Sequence, residues 1–308
     1  MNTPSLPRVR ATLIIPTLIL LLTSFGTAIG AAQARDTGVR RTTSESSATP
    51  LARAHAHNDY LHARPLFDAI DHGFTSVEAD IWLVDGELLV AHDFEDVQPG
   101  VTLESLYLDP LRKLVSRNKG NVYPGHPHYF TLLVDIKSEA VSTYLALHER
   151  LKKYQRVFTS FGPSGVKNGA VTAIVSGNRP IELMRSQRIR YAGVDGRMSD
   201  LGVETSQTFM PLISDNWTRH FSWMGAGPMP EEERQKLHGI VATAHSHGQR
   251  VRFWETPDEP GEVTEAVWQE LLEAGVDYLN TDHLDELQEF LLTNDPNPSV
   301  PHVTWEES

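Results

Sequence analysis

The chain of 308 residues has no cysteine, so disulfides cannot stabilise it and a packed apolar core must. Positive charge is scarce as well. Lys and Arg number 27 against 40 Asp and Glu, a formal net charge of −13, which argues against a protein that tracks a nucleic-acid backbone. Acidity does not exclude phosphate chemistry, because a bound divalent cation inverts the field of an acidic site. There is no internal repeat, and no run after the N-terminal region is long and apolar enough to cross a membrane. What is present is ordinary globular material, 40% hydrophobic and 22% charged.

The first residues carry Arg8 and Arg10 and no acid, followed by an apolar run from Ala11 to Leu22 and small residues to Ala34. That order, ending in Ala32-Gln33-Ala34, reads as a secretory signal over residues 1–34, and predicts a secreted, extracellular or periplasmic protein. The alternative is an uncleaved anchor, which Pro16, Thr17, Thr23 and Ser24 make a poor span. Residues 35–50 are polar and aperiodic and read as a disordered linker. Residues 294–308 read as a loose C-terminal tail.

From residue 51, short β-branched or apolar runs alternate with helical patterns. Strands are predicted at 52–55, 76–82, 129–136, 171–175, 191–195, 210–214, 250–254 and 277–281. Helices are predicted at 64–72, 102–118, 139–153, 179–187, 199–206, 230–247, 263–274 and 284–293. A hairpin is expected to start near Val157-Phe158-Thr159. Eight β/α units in this length predict a single-domain α/β protein, a TIM-type (β/α)8 barrel over 51–293. A doubly wound open sheet fits the same alternation less well.

A barrel of this kind carries its chemistry where the strands end. The predicted ends read His55-Ala56-His57-Asn58, Glu78-Ala79-Asp80, Asp135-Ile136-Lys137, Asp195-Gly196-Arg197, Ser214-Asp215-Asn216, Arg252-Phe253-Trp254 and Asn280-Thr281-Asp282, with Ala91-His92-Asp93 beyond the second. Glu78 and Asp80 are two apart in a strand, so they share a face. Two buried carboxylates on one face require protonation or a cation. Oxygen ligands suit Mg²⁺ or Ca²⁺, and Asp135 on the next strand supplies a third. His57 and His92 would flank that ion and provide the acid and base that phosphodiester cleavage needs. Of the other histidines, His126, His128, His245 and His247 read as structural.

The stretch from His55 to Asp93, with Glu78-Ala79-Asp80 followed by Asp85-Gly86 and His92-Asp93, resembles the E-x-D…DG…HD core of glycerophosphodiester phosphodiesterases and related phospholipase C-like barrels. It resembles more closely the altered inheritance of mitochondria protein 6 family. Leu108-Asp109-Pro110, Ser176 to Pro180, Arg252-Phe253-Trp254 and Gly275-Val276-Asp277 through Asp282 extend the likeness over about 51–293. The resemblance implies a TIM barrel holding one divalent cation through Glu78, Asp80 and Asp135, with His57 and His92 as the acid/base pair; His55 is a further catalytic candidate, expected to orient their loop. It implies a small-molecule or lipid phosphodiester substrate and a transient contact with a membrane surface.

Two departures stand out. The usual His-Arg-Gly is replaced by His55-Ala56-His57-Asn58, so the phosphate-holding arginine is missing. Asn58, Lys137, Arg197, Arg252 and Trp254 are the candidates to hold substrate. The third ligand is Asp rather than Glu, as in the sphingomyelinase D-like branch. Two other readings remain. His55-x-His57 with Asp282 could open a zinc site of amidohydrolase type, although Asp195 and Asp215 stand where that site needs histidines. A non-catalytic binding barrel could line a groove with Trp82, Trp217, Trp223 and Trp254. The sequon Asn216-Trp217-Thr218 is expected to stay unmodified at a site mouth.

Overall fold

The computed structural model describes residues 48–126, 130–203 and 205–305. The segment expected to be a signal, and all but the end of the expected linker, lie outside the described residues. In chain order the first half runs β1 (Leu51–Ala56), α1 (Phe67–Asp71), β2 (Phe74–Val84), β3 (Glu87–Val90), α2 (Asp109–Arg117), β4 (Phe130–Ile136) and α3 (Ala140–Lys153). The second half runs β5 (Ser160–Gly162), β6 (Gly165–Lys167), β7 (Val171–Gly177), α4 (Ile181–Ser186), β8 (Gly193–Gly196), β9 (Leu212–Asn216), α5 (Glu231–Ser246), β10 (Arg250–Trp254), α6 (Glu262–Ala274), β11 (Leu279–Thr281) and α7 (Leu284–Asn294). Among the described residues no helix is long and apolar enough to cross a membrane.

Eight strands pair in parallel in the order β10-β9-β8-β7-β4-β2-β1-β11. A parallel bridge from Arg252 to Tyr278 joins β10 to β11 and closes the ring. The expected TIM-type barrel is therefore present, and the open doubly wound sheet is excluded. Strand β3 folds back antiparallel on β2, a hairpin the sequence reading did not mark as a strand. The hairpin expected near residue 157 is β5–β6.

The burial pattern explains the closure. Leu133, Ile174, Leu212 and Tyr278 form a cluster of their own, with Trp305 against it. They stand on four of the barrel strands, β4, β7, β9 and the start of β11, as alternating inward residues must. Thr131 and Tyr278 hydrogen-bond at 2.7 Å across the lumen. The larger apolar cluster lies outside the sheet, where residues such as Val77, Ala79 and Val134 meet Leu111, Leu147 and Leu287 of the helices.

Three expectations need correcting. The described residues of 199–206 form no α-helix: Asp200 caps the Arg197 N–H at 2.9 Å in a single 3-10 turn, and Gly202 turns the chain with a φ of +74°. The segment after Asn294 is not loose where it is described. Asp295 pairs with Arg53 at 2.5 Å, the Val303 carbonyl accepts from Arg250 at 2.9 Å, and the Arg250 guanidinium lies 3.8 Å from the Trp305 ring centroid. It plugs the end of the barrel at which the strands begin. Trp217 and Trp223 line no groove. Both are buried, and Trp217 stacks on Phe221 at 4.0 Å.

Candidate active site

The strand ends meet as their order requires. Glu78 and Asp80 point the same way from β2, and Asp80 lies in register with Asp135 of β4. One carboxylate oxygen from each of Glu78, Asp80 and Asp135 falls within 4.8 Å of the others. Glu78 and Asp80 are buried and Asp135 is half-buried. Oxygen Oδ1 of Asp80 is buried with no hydrogen-bond partner. A buried carboxylate oxygen without a donor costs free energy that a hard cation would recover, so these residues fit a divalent ion.

The three carboxylates differ in how they are neutralised. Burial pushes Glu78 toward protonation, but Arg252 first, and then the His55 hydrogen bond, hold it well below the usual carboxylate range. Its Oε2 accepts from Arg252 at 2.6 Å and lies 3.2 Å from His55 Nε2. Asp80 goes the other way. Burial and then the charge of Glu78 push it up to about 7, despite Lys137 Nζ at 3.1 Å and the Tyr60 hydroxyl donating at 2.7 Å. Asp135 is also raised, by burial and by Glu78, with Lys137 3.5 Å away. Gly177, at the end of β7, leaves room for Asp135: a Cβ there would lie 2.1 Å from Asp135 Oδ1.

His55 and His57 are two apart and both lie at the end of β1, yet they occupy different surroundings. His55 is buried, with Nδ1 2.7 Å from Ser76 Oγ as well as Nε2 on Glu78, and burial lowers it to about 3. Its two ring nitrogens are thus both engaged by β2, one on Ser76 and one on Glu78. His57 sits at the rim, Nδ1 2.9 Å from Asp282. Burial alone would lower its pKa, but the Asp282 hydrogen bond and the charge of Glu78 raise it overall. Asn58 then takes the left-handed conformation, φ 46°, which Asn tolerates. This turn returns Tyr60 over Asp80, with its hydroxyl 2.8 Å from Asn58 Oδ1.

The other candidates divide. Lys137 bridges two of the carboxylates, and Asn58 is joined to them through Tyr60. Arg252 is buried and committed to Glu78 and to Asn280 Oδ1, its Nε donating to the latter at 2.8 Å, so it lies beneath the site and not free to hold a phosphate. Arg197 binds Asp195 Oδ2 at 2.6 Å, which also accepts from Ser176 and Ser214 at 2.7 Å each. Its guanidinium thus braces β7, β8 and β9. Trp254 is half-buried, with the Arg219 guanidinium 5.8 Å from its ring centroid. His92 is exposed beyond β3, 3.3 Å from Asp93, at the same end of the barrel. Sequence reasoning missed Tyr60 and gave Asp282 no role beside His57. Nothing in the spacing marks Tyr60, because only the turn at Asn58 brings it back.

Residues 44–195 match the AIM6-like phosphodiesterase domain, and residues 250–285 match the glycerophosphoryl diester phosphodiesterase family. The altered inheritance of mitochondria protein 6 of Eremothecium gossypii is 32% identical over 270 residues, covering 78% of this chain and 69% of that protein. Its counterpart in Kluyveromyces lactis is 26% identical over 304 residues, covering 79% and 73%. Among solved structures, a glycerophosphoryl diester phosphodiesterase from Parabacteroides distasonis superposes with a TM-score of 0.46 at 11% identity, over 84% of this chain and 90% of that one. The phosphatidylinositol-specific phospholipase C of Listeria monocytogenes gives 0.42 at 9%, over 80% and 85%. On its matched domains and its relatives, this chain belongs to the altered inheritance of mitochondria protein 6 family and is a phosphoric diester hydrolase.

Proposed function

We propose that the chain hydrolyses glycerophosphodiester- or phospholipid-type substrates with one divalent cation, Mg²⁺ or Ca²⁺, held by Glu78, Asp80 and Asp135, and with His57 and His92 as base and acid. The observation that carries this reading is the partnerless Asp80 Oδ1 inside a buried three-carboxylate cluster. When bound, the cation would offset charge on the phosphoryl oxygens. The hydrogen bond from His57 Nδ1 to Asp282 fixes the ring and leaves Nε2 to take a proton from the attacking water. The exposed His92, in this reading, would return a proton to the leaving oxygen. Lys137 Nζ stands among the carboxylates with part of its surface open, and it would draw the phosphate in.

A lipid source for the substrate is favoured by the rim. Leu61 and Phe94 are 71% and 55% exposed on the segments that follow β1 and β3, at the end where the triad lies. Apolar side chains there suit a transient contact with a membrane surface. Export by the segment 1–34 would place the enzyme outside the cell or in the periplasm. An H-x-H zinc centre is disfavoured because His55 and His57 are committed to different partners. Turnover of a chromogenic phosphodiester by the full chain, with and without EDTA, tests the proposal. EDTA should abolish turnover and added Mg²⁺ or Ca²⁺ should restore it; turnover indifferent to EDTA would refute the metal role.

A further inference from the structure

The chain carries a second concentration of charge, opposite in sign and at the opposite end of the barrel. Strands β5 and β6, the residues after α4 and the residues before β9 border a groove of about 590 Å³. All three segments lead into the starts of barrel strands, so the groove lies away from the triad. Its described lining includes Arg185, Arg188 and Arg190 and no carboxylate. In a chain of net charge −13, three guanidinium groups gathered with no acid among the described lining residues are not a random sample of the surface.

Arg190 is the centre of the arrangement. Its backbone bonds reciprocally with Phe161 of β5, N to O at 2.9 Å in both directions. That pairing fixes the side chain beside two rings, 5.0 Å from the Phe161 centroid and 4.8 Å from that of Phe209. Arg185 meets the same ring, 4.4 Å from the Phe209 centroid. Arg190 is only 9% exposed, and its terminal nitrogens donate to the carbonyls of Ala192 at 3.0 Å and Thr208 at 3.2 Å. Carbonyl oxygens satisfy hydrogen bonds but do not neutralise a charge. Among the described residues no carboxylate lies within 4.0 Å of Arg188 or Arg190, and Arg185 has only the exposed Glu182 at 3.7 Å. Burial, and after it the charge of Arg185, lower the proton affinity of Arg190. A buried, uncompensated guanidinium is costly, and an anion in the groove would relieve that cost.

We infer that this groove is an anion-binding site, separate from the catalytic centre, for a ligand bearing a phosphate group. Guanidinium forks match phosphate oxygens bidentately, which is why three arginines point to phosphate. The rings of Phe161 and Phe209 would pack against the apolar part of the ligand. Such a phosphate belongs either to a soluble phosphomonoester or to the headgroup of an anionic lipid.

Binding by the full chain tests this, in EDTA so that the triad holds no cation. Calorimetric titration with inorganic phosphate reads the soluble source. Co-sedimentation with phosphatidylcholine vesicles, with and without phosphatidic acid, reads the lipid source. At least one arm should show saturable binding, and the exposed double variant Arg185→Gln/Arg188→Gln should weaken it by about tenfold or more, as loss of charge-assisted hydrogen bonds would. His57→Ala should leave it unchanged. Arg190→Gln, whose folding is checked by circular dichroism, should lose it altogether. No saturable binding in either arm, or binding that survives the double variant, would overturn the inference whatever the enzyme's turnover.

Discussion

Arg252 on β10 donates to Glu78 on β2 at 2.6 Å, an ion pair between residues 174 positions apart that lies beneath the three-carboxylate cluster. Both side chains are almost wholly buried. Arg252→Gln should therefore act first on stability and not on substrate affinity. Breaking one side of a buried pair costs about 3–5 kcal/mol. Urea unfolding of the metal-free variant should show that loss, and Mg²⁺ or Ca²⁺ should recover part of it by neutralising Glu78. A variant of full stability with only a raised KM would return Arg252 to the role of a phosphate ligand.

Glu78 and Asp80 lie two residues apart and should respond oppositely to loss of charge. Glu78 titrates well below the ordinary range, so its carboxylate stabilises the fold above that range. Glu78→Gln should lower the Tm at neutral pH. Asp80 is raised to about 7 without metal, so its contribution is fully present below the ordinary carboxylate pKa and is lost as pH rises through about 7. Asp80→Asn should therefore raise the Tm of the metal-free protein at pH 8, with the advantage fading toward pH 4. Thermal melts in EDTA across that range check both signs. Both variants should lose turnover.

The sequence made the barrel legible because parallel strands buried on both faces read as apolar runs, and the polar residues interrupting them marked one end. Glu78, Asp80 and Asp135 stood out for that reason. The eight barrel strands lie where expected, with starts shifted by about two residues at β2, β8, β9 and β11. What could not be read were the partners across the lumen. Arg252 alternates toward the same pole as Trp254, but its pairing with Glu78 depends on ring closure, which local pattern does not encode. Tyr60 reaches Asp80 only through the left-handed Asn58, and His55 and His57 part because β1 ends at Ala56, leaving His55 on the strand's inner face and His57 in the turn at the rim. The tail after Asn294 is polar and proline-rich, and only the open lower end of the barrel gives it something to cover.

The bond from His57 to Asp282 predicts a pH signature. Asp282 helps raise the pKa of His57, and a general base must be deprotonated to act. Asp282→Asn should move the acidic limb of the kcat/KM profile to lower pH while reducing its plateau by about 10²- to 10⁴-fold, the usual scale of general acid–base catalysis. Metal affinity should stay unchanged. An unshifted limb would detach Asp282 from the base.

Gly177→Ala should damage the site from a strand that contributes no ligand. The residue has a φ of +65°, and a Cβ there would fall 2.1 Å from Asp135 Oδ1 and 2.5 Å from the Ile136 carbonyl oxygen. The left-handed backbone alone costs about 1–3 kcal/mol for a residue other than glycine. Displacement of Asp135 should add a loss of metal affinity, read by titration on variant that still melts cooperatively. Metal affinity equal to that of the parent would show that Asp135 does not need this clearance.

Calorimetric titration of Mg²⁺ and Ca²⁺ into the full chain and into Asp80→Asn and His57→Ala bears most directly on the triad. One ion should bind the parent and His57→Ala with similar affinity, and binding to Asp80→Asn should fall below detection, while neither variant turns over a chromogenic phosphodiester. Metal retained by Asp80→Asn but lost from His57→Ala would place the ion on the histidines and contradict the carboxylate centre.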